Sequence, residues 1–88
     1  MFEGSSILVT GGTGSFGHHF VLETLKRYSP RRLIIYSRDE MKQWHMAKFL
    51  NHDPRVRFFV GDIRDRDRLY RALDCVDFVV HAAATKIV

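Results

Sequence analysis

Apolar positions along the chain gather into four short runs separated by stretches of longer period. Ile7-Leu8-Val9, Leu33-Ile34-Ile35-Tyr36, residues 56–60 and Phe78-Val79-Val80 are each of strand length and rich in β-branched or aromatic residues. Between the first two runs the period becomes helical. Over residues 15–28, Gly17, Val21, Leu25 and Tyr28 share one face, while Glu23, Lys26 and Arg27 point away from it. Ser29-Pro30 then stops the helix. Residues 39–50 form a second helical stretch, with Met41, Trp44, Ala47 and Lys48 bracketing the face expected to be buried. Asn51-His52-Asp53-Pro54 is loop by composition. Residues 65–73 form a short third helix carrying Leu69 and Leu73, and residues 77–81 are the fourth strand.

The resulting order, βαβαβαβ, belongs to an α/β fold: a parallel sheet with right-handed crossovers and helices on both faces. The strand order expected is 3-2-1-4, the first part of a Rossmann-type doubly wound sheet. The sequence stops seven residues after the fourth strand, whereas a complete sheet of this kind continues. Residues 1–88 are therefore expected to be the N-terminal part of a nucleotide-binding domain. The open edge of the fourth strand favours marginal stability or association.

One turn carries the first chemical signal. Thr10-Gly11-Gly12-Thr13-Gly14-Ser15-Phe16-Gly17 follows the first strand directly and opens the first helix. Gly12, Gly14 and Gly17 give G-x-G-x-x-G, and Gly11, Gly14 and Gly17 give G-x-x-G-x-x-G. Glycines permit the tight turn and let the backbone close on a ligand. The unpaired N–H groups and positive dipole end of the helix attract a pyrophosphate. Residues 13–16 are expected nearest to it. Gly17 lets the helix lie close to the sheet.

Composition narrows the class. With 88 residues and 45% hydrophobic content the chain holds one small domain. The net charge of +4, with ten arginines against four lysines, suits a phosphate-rich ligand as well as it suits nucleic acid. The arginines of residues 55–71 are interleaved with Asp62, Asp65 and Asp67, the mark of a solvated face rather than a nucleic-acid patch. A single cysteine, Cys75, excludes an internal disulfide and fits a reducing, cytoplasmic setting. No apolar run approaches the ~18 residues that span a bilayer. The histidines show no metal-ligand spacing, so no metal is expected.

The end of the second strand selects the dinucleotide. A domain specific for NAD places a carboxylate about 20 residues past the turn to hold the ribose hydroxyls. Here Ser37 and Arg38 occupy that place, 20 and 21 residues beyond Gly17, with Asp39 and Glu40 following. A hydroxyl and a guanidinium suit a 2′-phosphate, with Lys42 one helical turn on. Asp39 caps the second helix in either case. NADP is the cofactor expected. At the end of the third strand, Asp62 either accepts from the adenine amino group, with Ile63 against the ring, or caps the following helix, for which Asp65 is better placed. After the fourth strand, small Ala82 either approaches the nicotinamide-side ribose or serves tight packing. His81 is expected to be a hydrogen-bonded core residue.

Residues 10–17, Tyr36-Ser37-Arg38-Asp39-Glu40, residues 57–65 and His81-Ala82-Ala83-Ala84 together resemble the extended short-chain dehydrogenase/reductases. Within them, the chain is most similar to the inverting UDP-N-acetylglucosamine 4,6-dehydratases of polysaccharide and glycan biosynthesis. The resemblance covers nearly the whole chain. It implies NADP-dependent dehydration of a UDP-linked N-acetylamino sugar with inversion at C5, by an enzyme that is homo-oligomeric at full length. By family position it places Gly11 and residues 13–17 at the pyrophosphate, residues 37–42 at the adenosine ribose and 2′-phosphate, Asp62 and Ile63 at adenine, and Ala82 at the nicotinamide side. Lys86 would touch both cofactor and substrate. The chain departs from the family at Thr85 and at Ile87-Val88, which leaves the shape after Lys86 open. The family's Tyr-x-x-x-Lys pair and Thr-Asp-Lys segment have no counterpart before Val88, so none of Tyr28, Tyr36 and Tyr70 is expected to be catalytic and the 88 residues are not expected to turn over alone. The alternatives are a UDP-sugar 4-epimerase or reductase of the same superfamily, and a non-catalytic NADP-binding module.

Overall fold

The computed structural model describes residues 3–11 and 13–81. Seven elements alternate: β1 (Ser6–Thr10), α1 (Ser15–Arg27), β2 (Arg32–Ser37), α2 (Glu40–Phe49), β3 (Val56–Val60), α3 (Arg66–Ala72) and β4 (Phe78–His81). The four strands form one sheet in the order β3-β2-β1-β4, with every pairing parallel. This is the fold and strand order expected from the sequence.

Strand periodicity explains how two layers of helix are held. Side chains alternate across a strand, so Ile7, Val9, Leu33 and Ile35 point to one face, where they pack with Val21 of α1, Met46 of α2 and Val56. Leu8, Ile34 and Tyr36 point to the other and pack with Ala72 of α3, flanked by Phe59, Leu69 and Leu73. β1 and β2 lie in the middle of the sheet, covered on both faces, and are buried almost end to end. Full burial of each such aliphatic side chain is worth about 1.5–3 kcal/mol. β4 pairs only with β1 among the described residues, and its Phe78 and Val79 are exposed.

α1 buries Gly17, Val21 and Thr24, with Leu25 packed at the edge of the core. Gly17 is thus on the buried face, as its place in the helical pattern implied. Tyr28 is the C-cap of α1 rather than its last turn.

α2 departs from expectation. Met41 and Trp44 are 64% and 56% exposed, and the buried face is Gln43 and Met46, with Ala47 and Leu50 half-buried. Positions 43, 46, 47 and 50 follow the i, i+3, i+4, i+7 pattern of a helix face, but a glutamine leads it. The reason is local: the Gln43 amide is 4% exposed and donates to Ser37 O (3.3 Å), Ser37 Oγ (3.1 Å) and Phe59 O (3.2 Å). A buried amide satisfied by two strand ends fixes the rotation of α2 and turns Trp44 outward, where Lys48 stacks over its ring at 4.6 Å.

Candidate functional site

The C-terminal ends of parallel strands form the ligand edge of an open α/β sheet, above all where the strand order reverses. Here that point is β1, between β2 and β4. The turn leaving β1 runs through Gly11, whose φ of +68° is the left-handed region that glycine enters without cost. The Gly11 N–H donates to Tyr36 O at 3.0 Å and its carbonyl accepts from Gly14 N at 3.1 Å, so the turn is tied to β2 and folded on itself. Gly14 is the N-cap of α1, with no side-chain cap and no acidic residue in the first helical turn. Thr13, Gly14 and Ser15 line a groove there with His18 and His19, and Phe16 is exposed beside it. Among the described residues, no side chain caps the N-terminal N–H donors of α1, and a phosphate oxygen is a suitable acceptor for such donors.

A second groove, of about 470 Å³, opens beside the same turn and is lined by Gly11, Tyr36, Ser37, Arg38, Gly61, Asp62, Ile63 and Arg64. Five of the residues expected to meet the cofactor (Gly11, Ser37, Arg38, Asp62 and Ile63) are therefore neighbours, although up to 52 positions apart in sequence. Ser37 is the last residue of β2, and its hydroxyl accepts from Gln43, which leaves the hydroxyl proton to donate.

Asp62 is held in an Asx turn. Its carboxylate accepts from the Arg64 backbone N–H at 2.9 Å and from the Arg64 guanidinium at 3.2 and 2.9 Å, and Arg38 Nη1 lies 3.6 Å away. The side-chain hydrogen bonds from Arg64, then its backbone N–H, with a smaller charge effect from Arg38, hold the Asp62 carboxyl down at about 2. Asp62 does not cap α3: Asp65 does, accepting from Arg68 N. Of the two roles open to Asp62 in the sequence, the cap is thereby excluded.

The floor of this groove comes from residues that motif reading passed over. Tyr36 is wholly buried, and its hydroxyl donates to Asp62 O at 2.8 Å; burial is the main cause that pushes its phenol pKa up. Its ring stacks on Phe59 at 5.8 Å, and the Arg68 guanidinium lies over the Phe59 ring at 4.4 Å. Gly61 has no room for a side chain: a Cβ there would lie 2.5 Å from the Tyr36 hydroxyl oxygen and 2.8 Å from Arg68 Cγ. Arg64 also escaped the motif reading. Its only signal was its position two residues past Asp62, where an Asx turn brings the side chain back.

The remaining expected residues distribute as follows. Asp39 caps α2, accepting from Lys42 N at 3.0 Å. Lys42 lines a third groove with Thr13, not the groove of Arg38. Glu40 lines a shallow outer groove with Met41 and Trp44. Ala82 and Lys86 lie outside the described residues. His81 is exposed at the strand end, not in the core, and its Nδ1 is hydrogen-bonded to Thr10 Oγ1.

Comparison with known proteins gives the same picture. Residues 7–88 match the family described as polysaccharide biosynthesis protein. The chain is 54% identical over 86 residues to a UDP-N-acetylglucosamine 4,6-dehydratase (inverting) of Campylobacter jejuni, covering 98% of this chain and 25% of that protein. It is 42% identical over 89 residues to a UDP-glucose 4-epimerase of Rickettsia bellii, covering 98% of this chain and 26% of the other. The structure superposes on Pen from Bacillus thuringiensis with a TM-score of 0.90 at 32% identity, over 100% of this chain and 27% of that one. Yeast methylglyoxal/isovaleraldehyde reductase Gre2, complexed with NADPH, shares the fold at a TM-score of 0.71 and 23% identity, over 86% of this chain and 23% of its own. The chain thus spans about a quarter of the length of the curated relatives it matches. No helix among the described residues is long and apolar enough to cross a membrane. With the glycine turn, the strand order and the family match over residues 7–88 in agreement, the chain belongs to the polysaccharide biosynthesis protein family, among the extended short-chain dehydrogenase/reductases.

Proposed function

We propose that this chain is the N-terminal, adenosine-binding part of an NADP-dependent enzyme that dehydrates a UDP-linked N-acetylamino sugar, a 4,6-dehydratase inverting at C5. The observation that carries the cofactor reading is the α1 N-terminus, which has neither side-chain cap nor acidic residue and opens beside the groove of Ser37, Arg38 and Asp62. The donor set fits the cofactor. Backbone N–H groups at Ser15 and Phe16 meet a pyrophosphate, the Asp62 carboxylate and Ile63 meet an adenine, and the end of β2 offers a hydroxyl and a guanidinium with no carboxylate between them. Bound NADP supplies a hydride acceptor that becomes a donor within the same turnover, so it leaves unchanged. This chain binds and orients; the proton-transfer groups belong to the three-quarters of the relatives' length that it does not span. Within that reading Ala82 and Lys86 face the nicotinamide side and the sugar.

The relative from Campylobacter supports the dehydratase over the epimerase, at 54% against 42% identity. Incubating the full-length protein with UDP-N-acetylglucosamine separates the readings by mass spectrometry. Loss of one water is the dehydratase result. An isomer of unchanged mass makes the protein an epimerase, and binding without turnover makes it a sensor module. For the cofactor, calorimetric titration is expected to favour NADP⁺ over NAD⁺, and Arg38→Ala is expected to weaken NADP⁺ about tenfold while leaving NAD⁺ unchanged, as one charge-assisted hydrogen bond is worth about 1.5–3 kcal/mol. Equal wild-type affinities overturn the NADP assignment.

A further inference from the structure

The buried amide of α2 does more than set the rotation of that helix. Gln43 is 4% exposed, and its Nε2 lies 3.3 Å from Ser37 O, 3.1 Å from Ser37 Oγ and 3.2 Å from Phe59 O. Two of those three atoms are backbone carbonyl oxygens, which only accept. The NH₂ end of the amide must therefore face β2 and β3, because the reverse orientation would press its own oxygen on both carbonyls. Its two N–H groups serve three acceptors, so one of them is shared.

The consequence falls on Ser37. An amide nitrogen has no lone pair to offer, so Ser37 Oγ can only accept from it, and the hydroxyl proton is turned elsewhere. Ser37 O is doubly engaged, accepting from Gln43 and from Gly61 N at 2.9 Å, which holds the strand end in the sheet. Ser37 lines the groove of Arg38 and Asp62, whereas Gln43 is not among the residues that line it. A hydroxyl that already accepts is polarised into a better donor, and one whose direction is fixed loses less freedom when a ligand arrives.

We infer that Gln43 is a positioning residue that sets cofactor specificity: it aims the Ser37 hydroxyl as a donor, so that the end of β2 favours a ribose carrying a 2′-phosphate. A dianionic phosphate only accepts hydrogen bonds, whereas a bare ribose hydroxyl donates or accepts and gains little from a neighbour of fixed polarity. The inference rests on the NADP reading, in which Arg38 meets that phosphate with charge. Ser37 adds a directed hydrogen bond, and Gln43 decides its direction without touching the cofactor.

The test is a double-mutant cycle in the full-length protein: Gln43→Met, Ser37→Ala and the pair, each titrated calorimetrically with NADP⁺ and NAD⁺ at about pH 8, where the phosphate is a dianion. Methionine keeps the length of the glutamine side chain and removes both donors. Ser37→Ala is expected to weaken NADP⁺ about tenfold, the worth of one hydrogen bond to a charged group. Gln43→Met is expected to weaken it about three- to fivefold, since the hydroxyl survives but is no longer aimed. NAD⁺ affinity stays within about twofold of wild type in both, which also shows that each variant is folded. The double variant is expected to bind NADP⁺ no more weakly than Ser37→Ala, because Gln43 acts through that hydroxyl. Equal losses for the two cofactors in Gln43→Met, or a loss that repeats in full on the Ser37→Ala background, would mean a role in packing alone and overturn the inference. Ser37→Ala keeps both carbonyl bonds of Gln43 and decides the matter even if Gln43→Met does not fold: an NADP⁺ preference unchanged by Ser37→Ala overturns the inference while leaving the NADP assignment standing. Equal wild-type affinities for the two cofactors overturn both.

Discussion

Two strand-to-helix turns border the groove of Ser37, Arg38 and Asp62, and they solve the same problem in opposite ways. The turn from β3 to α3 satisfies itself. Asp65 caps the helix, Asp67 adds an acid in its first turn, Arg64 returns to Asp62, and Tyr36 ties down the Asp62 carbonyl. The turn from β1 to α1 does none of this: its cap is a glycine, its first helical turn has no acid, and among the described residues its hydrogen bonds join Gly11 and Gly14 to backbone. A helix N-terminus without a cap forgoes about 0.5–2 kcal/mol of local stabilisation. What it gains is a set of donors free to meet an anion. The self-satisfied turn shapes the groove, and the uncapped one leaves donors that suit an anion.

The comparison breaks most sharply if the first turn is made to resemble the second. Gly14 has φ −78° and ψ 178°, open to any residue, and a Cβ there meets nothing closer than Gly11 O at 3.5 Å. Gly14→Asp is expected to keep or slightly raise the melting temperature while weakening NADP⁺ and NAD⁺ alike by about 100-fold, the effect of about 2.7 kcal/mol. Retained binding by calorimetry would show that these donors do not hold the pyrophosphate. The converse change acts on the rigid turn. Gly61→Ala must displace Tyr36, which is fully buried and cannot move cheaply, so a loss of about 1–3 kcal/mol in denaturant unfolding is expected. An unchanged midpoint would mean that the Tyr36–Asp62 contact is more pliant than its burial implies.

The smallest effect is an acid titration. Because the Asp62 carboxyl is held at about 2, below its usual 3.8, its contacts with Arg64 and Arg38 stabilise the fold above pH ~4 and are lost as pH falls toward ~2. Carboxyl NMR shifts should place the Asp62 midpoint below those of ordinary aspartates. Asp62→Asn should remove this contribution to acid destabilisation. A midpoint near the ordinary value would show that Arg64 leaves the carboxylate in solution.

What was readable in the sequence follows from local rules. Four apolar runs with helical stretches between them specified the parallel 3-2-1-4 sheet, because strand pattern and crossover handedness admit few alternatives. Gly11, Gly14 and Gly17 marked the turn, and Asp39 and Asp65 were legible as caps, since such roles depend on residues a few positions apart. The buried face of α2 was the clearest failure: apolar residues at 41, 44, 46, 47, 49 and 50 leave several rotations open. Gln43, a polar residue that no apolar pattern would select, decides among them through bonds to Ser37 and Phe59.

The composition of the grooves was likewise invisible in one dimension. Sequence spacing put Arg38 and Lys42 together as neighbours one turn apart, yet they line different grooves. Arg38 joins Asp62, and Lys42 joins His18 and His45, only because β2, β3, α1 and α2 bring their ends to one edge of the sheet. The sequence by itself determined the fold and the turn, because periodicity and turn chemistry act over a few residues. The tertiary structure alone decided which charges face one another, because that depends on how separate elements pack.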